Sequence, residues 1–120
     1  MEKHSPEMIL EAVVKAADER NGNDILALNM KGISILSDYQ VIITAGSSRQ
    51  TNAIAQAVIQ EAAKFGIDAV MEGKVDGNWL LVDLDDVIVH VFDEEDRYAY
   101  NLEGLWTEAP MVDVSKWIVE

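Results

Sequence analysis

The amino-acid sequence predicts an α/β fold: a single domain with a mixed five-stranded sheet flanked by helices. Two long segments have the apolar spacing of amphipathic helices, and five shorter ones have the composition and alternation of strands. Two of the connections between strands are too short for a crossover, so part of the sheet must be antiparallel. The 120 residues contain no repeat or linker, and we therefore expect one domain over residues 1–120.

The first predicted helix covers residues 5–20. Ser5 suits the N-cap and Pro6 the first helical position, and apolar residues recur at helical spacing after them. The second predicted helix covers residues 49–65. It carries one apolar stripe and is followed by Gly66, which is typical of a helix C-terminus. Both helices should pack one face against the sheet.

The strands are predicted from alternation and from branched residues. The segment from Tyr39 to Ala45 is apolar almost throughout, which is typical of a strand covered on both faces and indicates a central position. Asp85-Asp86 separates the last two strands, which should form an antiparallel hairpin. The five predicted strands cover residues 24–30, 39–45, 67–72, 79–84 and 87–92.

Charge and cysteine content exclude several classes of function. The chain has 22 acidic and 9 basic residues, a net charge of −13, which disfavours direct binding to the phosphates of a nucleic acid. Cysteine is absent, so neither disulfides nor thiolate metal sites can form. The sequence shows no membrane span and no secretory signal, and a cytoplasmic protein is the expectation.

One acidic group could carry metal chemistry. Asp83, Asp85, Asp86 and His90 lie close together in the sequence, and such a set could bind a metal for phosphoryl transfer. Against this, aspartate is a common turn former, and His90 lies between apolar neighbours, as a structural histidine would. A metal-dependent enzyme acting on nucleotides or phosphoesters is therefore the alternative hypothesis, and we predict no metal site.

A second group lies where a strand is followed by a helix. The backbone N–H groups of Gly46-Ser47-Ser48-Arg49 could bind an anion, but a serine N-cap explains the same residues. Nucleophilic catalysis would need Ser47 or Ser48 beside His90, and no nucleophile-elbow pattern surrounds either serine. We predict no catalytic residue and no cofactor.

Large aromatic residues near the hairpin are a different signal. Trp79 follows a polar loop, and strand alternation places it on one face with Leu81 and Asp83. Tyr98, Tyr100 and Trp106 follow the hairpin. Such residues either anchor a protein interface or close the core, and composition does not decide between the two.

Two blocks of the sequence form a distinctive pattern. The first block is Ser37-Asp38-Tyr39-Gln40-Val41-Ile42-Ile43-Thr44-Ala45-Gly46-Ser47-Ser48-Arg49-Gln50, and the second is Glu72-Gly73, the hairpin 79–92, Glu95, Arg97, Tyr100, Leu102, Glu103, Leu105 and Trp106. The first block is similar to the signature S-D-[YF]-x-[VI]-I-x-[TS]-x-x-S-S-R-Q of the RsfS/Iojap family, and the second follows that family's order of residues. The resemblance covers about residues 9–106 and leaves 107–120 as a tail.

The resemblance implies a ribosomal silencing factor. Such a protein binds protein fourteen of the large ribosomal subunit, blocks joining of the small subunit and so represses translation, without enzymatic activity. It implies a topology like that of nucleotidyltransferases without their catalytic site. Nucleotidyltransferases have a Gly-Ser pair a short distance before an Asp-x-Asp motif. The sequence agrees with the absence of that site, because a helix and a strand separate Gly46-Ser47 from Asp83-Leu84-Asp85.

The resemblance also implies a contact surface. Carried over to this chain, it comprises Trp79, Leu80 and Leu81, with Tyr98 and Tyr100 nearby. The acidic charge suits a basic ribosomal protein better than exposed RNA. The free protein is expected to be a homodimer.

Two parts of the chain depart from the family. Asp85-Asp86 stands where the family usually has Gly-Asp, which bears on the geometry of the hairpin turn. The tail contains Trp117. The tail, residues 107–120, can pack on the core, join the dimer or stay loose.

Overall fold

The structure, a computed structural model, describes residues 6–20, 22–32, 37–73, 79–93 and 110–118. Both predicted helices are confirmed within two residues at each end. All five predicted strands are present, and the third is shorter than predicted. The helices are α1 (Pro6–Glu19) and α2 (Ser48–Lys64), and the strands are β1 (Asn23–Asn29), β2 (Tyr39–Ala45), β3 (Val70–Glu72), β4 (Trp79–Asp83), β5 (Val87–Asp93) and β6 (Met111–Val112).

The described strands form one mixed sheet in the order β3-β4-β5-β2-β1-β6. Only β2 and β5 are parallel, and every other neighbouring pair is antiparallel. The seven residues of β2 are all buried, which confirms the prediction of a central strand. The mixed sheet is thus confirmed.

The sequence predicted five strands, whereas the described sheet has six. Met111–Val112 forms a sixth strand that pairs antiparallel with Ala27 and Leu28 at the edge of the sheet. After it come a 3-10 helix, Ser115–Trp117, and two buried side chains, Val114 and Trp117, that belong to the main core. A two-residue strand has no periodicity to reveal it. The described part of the tail therefore packs on the core.

Both helices cover the same face of the sheet. Their apolar stripes meet the inward residues of the strands in one large cluster. Because strand side chains alternate, this cluster takes every second residue of the central strands. Its members include Leu10, Val13 and Val14 of α1, Ile54 and Val58 of α2, and Val41, Ile43, Leu80, Val82, Val89 and Val91 of the sheet.

The opposite face of the sheet has a second apolar cluster. It contains the buried side chains Leu28, Met30, Ile42 and Phe92, against which Trp79 packs. Leu28 and Met30, two residues apart along the chain, both point to this face, as strand alternation requires. The sheet is therefore apolar on both faces, and the candidate site lies at the edge of this second cluster.

The turn between β4 and β5 accommodates Asp85 in an unusual conformation. Its φ is +74°, a region that favours glycine, and Oδ1 of Asp83 accepts a hydrogen bond of 2.8 Å from its backbone N–H. The backbone N–H of Leu84 donates to the carbonyl of Val87 at 2.9 Å. The hairpin forms as predicted, so the departure from Gly-Asp does not prevent pairing.

Candidate partner-binding surface

Trp79 and Leu81 lie on the face of the sheet away from the helices. Along β4 the side chains alternate, so that Trp79 and Leu81 are half-buried while Leu80 and Val82 are buried. Trp79 and Leu81 line a shallow pocket of about 210 Å³ together with Glu72 and Gly73. An aromatic residue beside a pocket is a geometry that can anchor a partner protein.

The structure corrects one predicted contact residue, and two others lie outside the described residues. Leu80 is 0% exposed and belongs to the core beneath the helices, because alternation turns it away from Trp79. Its side chain supports the strand and does not reach the surface. Tyr98 and Tyr100, like Trp106, lie outside the described residues.

The neighbouring strand adds residues that the sequence did not indicate. Glu72 lies opposite Leu81, and Val70 lies opposite Asp83. Residues directly opposite in an antiparallel pair share a face, so Val70, which is 57% exposed, extends the apolar area. Only the alternation of β3 hinted at this, since its register on β4 is not visible in the sequence. We call Val70, Glu72, Gly73, Trp79 and Leu81 the Trp79 surface.

Gly73 allows a close backbone approach at this surface. Its φ is +115°, and a Cβ atom at this position would lie 2.7 Å from the carbonyl oxygen of Trp79. A larger residue would have to push Trp79 or β3 aside. Gly73 therefore helps to shape the pocket beside the indole ring.

Two rings lie close to Trp79. Its ring stacks on Phe92 with centroids 5.2 Å apart and planes inclined by 19°, and the ring of His90 is 6.0 Å away. The indole N–H donates a long hydrogen bond of 3.4 Å to Nδ1 of His90. Trp79 is thus held in place by the stacked ring of Phe92 and by the hydrogen bond to His90.

His90 is a buried histidine with partners on both ring nitrogens. It is 5% exposed, and its Nε2 lies 2.7 Å from Oε1 of Gln40 in β2. Burial lowers the pKa of His90 from 6.5 to about 4, so the ring is neutral at physiological pH. The prediction of a hydrogen-bonded structural histidine is confirmed.

The acidic residues of the hairpin do not assemble around His90. Asp83, Asp85 and Asp86 are at the β4–β5 turn, where Asp83 binds the backbone of Asp85. His90 instead contacts Gln40 and Trp79. No group of three potential metal ligands occurs in the part of the chain that the structure describes. The alternative hypothesis of a metal-dependent enzyme at this cluster is therefore not supported.

The segment before α2 is occupied by the protein's own side chains. Ser47 is the N-cap, as predicted for this pair of serines, and its Oγ accepts from the backbone N–H of Gln50 at 3.2 Å. Oε1 of Gln50 accepts from the N–H of Gly46 at 2.9 Å, and Nε2 donates to the carbonyl of Arg20 at 3.0 Å. The backbone N–H groups of Gly46 and Gln50, which an anion would need as donors, are thus already paired within the protein.

This segment is also far from the acidic turn. Tyr39, at the start of β2, pairs with Val87 beside the turn, whereas Ala45, at the end of β2, leads into Gly46-Ser47. The seven residues of β2 span about 20 Å at roughly 3.3 Å per residue. Gly46-Ser47 and Asp83-Leu84-Asp85 therefore lie at opposite ends of the sheet and do not form one site.

Neither described helix has the length and apolar character needed to cross a lipid bilayer.

Comparisons with known proteins agree on one family. The family model described as "Ribosomal silencing factor during starvation" matches residues 2–120. The ribosomal silencing factor of Bacillus subtilis is 45% identical over 107 residues, which cover 88% of this chain and 91% of that protein.

Two crystal structures share the fold. A protein from Bacillus halodurans superimposes with a TM-score of 0.79 at 40% identity, over 89% of this chain and 98% of that one. A protein from Chromobacterium violaceum gives a TM-score of 0.81 at 33% identity, over 89% and 88%. The agreement of the family model, the relative and the fold confirms the resemblance seen in the two sequence blocks: the chain belongs to the RsfS family of ribosomal silencing factors, which regulate translation.

Proposed function

We propose that this protein represses translation by binding protein fourteen of the large ribosomal subunit and thereby blocking joining of the small subunit. The observation that carries the proposal is the Trp79 surface, where a half-buried aromatic residue lies beside a shallow pocket. Blocking by occupancy needs an anchored contact and no chemical step. The proposal therefore involves no catalytic residue, metal or cofactor.

The position of Trp79 suits an anchor. Its strand, β4, lies between β3 and β5 in the sheet, and its ring is stacked on the buried Phe92. A side chain that is already ordered loses little conformational entropy on binding. Large aromatic anchors next to pockets account for much of the affinity at many protein interfaces.

Charge supports a basic protein as the direct contact. The net charge of −13 attracts a basic protein over a long range and repels exposed ribosomal RNA. Glu72, which is exposed, adds a negative charge beside Trp79 within the surface itself. We therefore assign no direct nucleic-acid contact to the Trp79 surface.

Co-sedimentation with large ribosomal subunits tests the proposal. The protein should sediment with large subunits, and added protein should reduce subunit joining measured by light scattering. Trp79→Glu should abolish both effects. Met8→Glu is the matched control, because Met8 is exposed on α1, in the layer on the other face of the sheet. Circular dichroism establishes that both variants are folded.

Two results would contradict the proposal. If folded Trp79→Glu binds large subunits like the unchanged protein, the contact surface lies elsewhere. If the protein sediments with large subunits but leaves subunit joining unchanged, blocking is not its mechanism.

Binding to isolated protein fourteen tests the partner itself. The rate at which the two proteins associate should fall as the salt concentration rises, because salt screens the long-range attraction between unlike charges. Glu72→Gln should reduce the rate slightly and Leu81→Asp should weaken the affinity more strongly. Tighter binding to a ribosomal RNA fragment than to protein fourteen would overturn the assignment of the partner.

We further propose that the protein is cytoplasmic and, as the family resemblance implies, a homodimer when free. Both edge strands of the described sheet carry an exposed apolar side chain, Val70 on β3 and Met111 on β6. Unpaired strand edges are common sites of association. Sedimentation velocity should detect a dimer, and at least one of Val70→Lys and Met111→Lys should favour the monomer. A monomer at all concentrations would contradict the dimer.

A further inference from the structure

A chain of hydrogen bonds leads from the interior of the sheet to the indole ring of Trp79. Nε2 of Gln40 donates to Oγ of Ser37 at 2.8 Å, and Oε1 of Gln40 lies 2.7 Å from Nε2 of His90. The indole N–H of Trp79 points to the other ring nitrogen of His90, Nδ1, at 3.4 Å. Ser37, Gln40 and His90 are all buried.

The direction of this chain follows from the chemistry of its last member. An indole N–H can only donate, so Nδ1 of His90 must accept and the ring hydrogen must be on Nε2. That hydrogen needs an acceptor, which is the amide oxygen of Gln40. The amide nitrogen of Gln40 then faces Ser37 and donates to it. Each hydrogen bond in the chain therefore has a defined donor and a defined acceptor, and the imidazole is neutral.

The surroundings of His90 make this arrangement specific. In the sheet register His90 lies opposite Leu81 on β4 and Ile42 on β2, and its ring is 6.3 Å from that of Phe92. None of these three neighbours can ionise or compete as an acceptor. At 5% exposure, His90 has little access to water that could replace Gln40 or Trp79 as a partner.

From this geometry we infer that His90, held by Gln40, is a positioning residue that sets the orientation of the Trp79 ring for partner binding. The inference rests on the proposed function, in which Trp79 is the anchor. Stacking on Phe92 restricts the plane of the indole ring. The hydrogen bond from the indole N–H to Nδ1 of His90 adds a directional contact that favours one rotamer of Trp79. At 3.4 Å it is a weak bond, so it orients the ring more than it stabilises the fold.

Two substitutions of similar size separate positioning from packing. In His90→Asn the side-chain oxygen can occupy the position of Nδ1 and accept from Trp79. In His90→Gln the amide reaches toward the position of Nε2 and toward Gln40 instead. His90→Ala removes both hydrogen bonds, the one to Gln40 and the one from Trp79.

Affinity for protein fourteen should follow the acceptor at the Nδ1 position. We expect His90→Asn to bind within about twofold of the unchanged protein, and His90→Gln and His90→Ala to bind about threefold to tenfold more weakly, tenfold being the upper limit set by the net contribution of one hydrogen bond. Equal losses for Asn and Gln would overturn the inference, because packing alone does not distinguish the two amides in this way.

A second measurement does not depend on any partner. The indole N–H resonance of Trp79, assigned by comparison with Trp79→Phe, should shift and exchange faster in His90→Ala and return toward its original position in His90→Asn. An unchanged resonance in His90→Ala would overturn the inference. If His90→Ala does not fold, Gln40→Met, which removes the acceptor for Nε2, should produce the same change to a smaller extent.

The two proposals fail in different ways. If the resonance shifts but affinity stays the same while Trp79→Glu still abolishes binding, positioning by His90 is unimportant and the inference is overturned. If Trp79→Glu leaves binding intact, the Trp79 surface is not the contact and the proposed function itself has failed.

Discussion

Trp79 and Phe92 lie directly opposite each other across the β4–β5 pair and stack with ring centroids 5.2 Å apart. Phe92 is 1% exposed and belongs to the second apolar cluster, whereas Trp79 is half-buried at its edge. The pair therefore connects the interior of this face with the candidate partner-binding surface.

Replacing Phe92 should cost stability in proportion to the volume removed. Phe92→Ala should lower the free energy of unfolding by about 3–5 kcal/mol, and Phe92→Leu by less than about 1.5 kcal/mol. Urea unfolding measures both. Val70→Ala is the control, since an exposed side chain should change the value by less than about 0.5 kcal/mol. A loss for Phe92→Ala as small as that of the control would show that the cluster is not a packed core.

Glycine at position 85 should stabilise the hairpin. Asp85 has a φ of +74°, a conformation that costs an ordinary L-residue about 1–2 kcal/mol and an aspartate less. We expect Asp85→Gly to raise the free energy of unfolding by up to about 1 kcal/mol, and Asp85→Val to lower it by about 1–2 kcal/mol. Thermal unfolding distinguishes the two, and a melting temperature for the valine variant at or above that of the original protein would contradict the assigned backbone conformation.

The burial of His90 predicts a specific pH dependence. His90 has a pKa of 6.5 in the unfolded chain and about 4 in the folded chain, so between these pH values His90 binds more protons in the unfolded state. The stability due to the neutral ring is thus fully present above pH 6.5 and is lost as the pH falls toward 4. The loss is at most on the order of 3 kcal/mol, at about 1.4 kcal/mol per pKa unit.

His90→Asn isolates this effect from the titration of the carboxylates. The asparagine variant has no ionisable group at position 90, so its stability relative to the original protein should improve as the pH falls from 7 to 4. Urea unfolding at several pH values measures the difference. A difference that does not vary with pH would show that His90 titrates alike in the folded and unfolded states.

The tail should contribute to the stability of the domain. Trp117 is 8% exposed and packs in the main core, so Trp117→Ala should lower the free energy of unfolding by about 3–5 kcal/mol. Met111→Ala, in the same tail but 68% exposed, is the matched control and should have little effect. If both variants unfold like the original protein, the tail does not belong to the core.

Much of the fold could be predicted from the sequence because the signals are local. Helical spacing identified α1 and α2, and the branched run 39–45 identified the central strand, since these patterns reflect burial within one element. The turn at Asp85 was visible for the same reason. Family membership was also a property of the sequence, because its two signature blocks are contiguous stretches of residues.

Tertiary structure decided what the local patterns could not. It placed the side chain of Leu80 in the core and Glu72 opposite Leu81, because register between strands depends on pairing across the whole sheet. It also placed β6 at the sheet edge, where only the neighbouring β1 stabilises a two-residue strand.

The interior support of Trp79 was beyond the sequence for the same reason. Gln40 and His90 are fifty positions apart, and only the parallel pairing of β2 with β5 brings their side chains into hydrogen-bonding distance. The sequence by itself thus determined both helices, five of the six described strands and the family, and through the family resemblance it assigned Trp79 to a contact surface. Which residues surround Trp79, and which hold it in place, depends on contacts between distant parts of the chain, and these form only when the sheet is assembled.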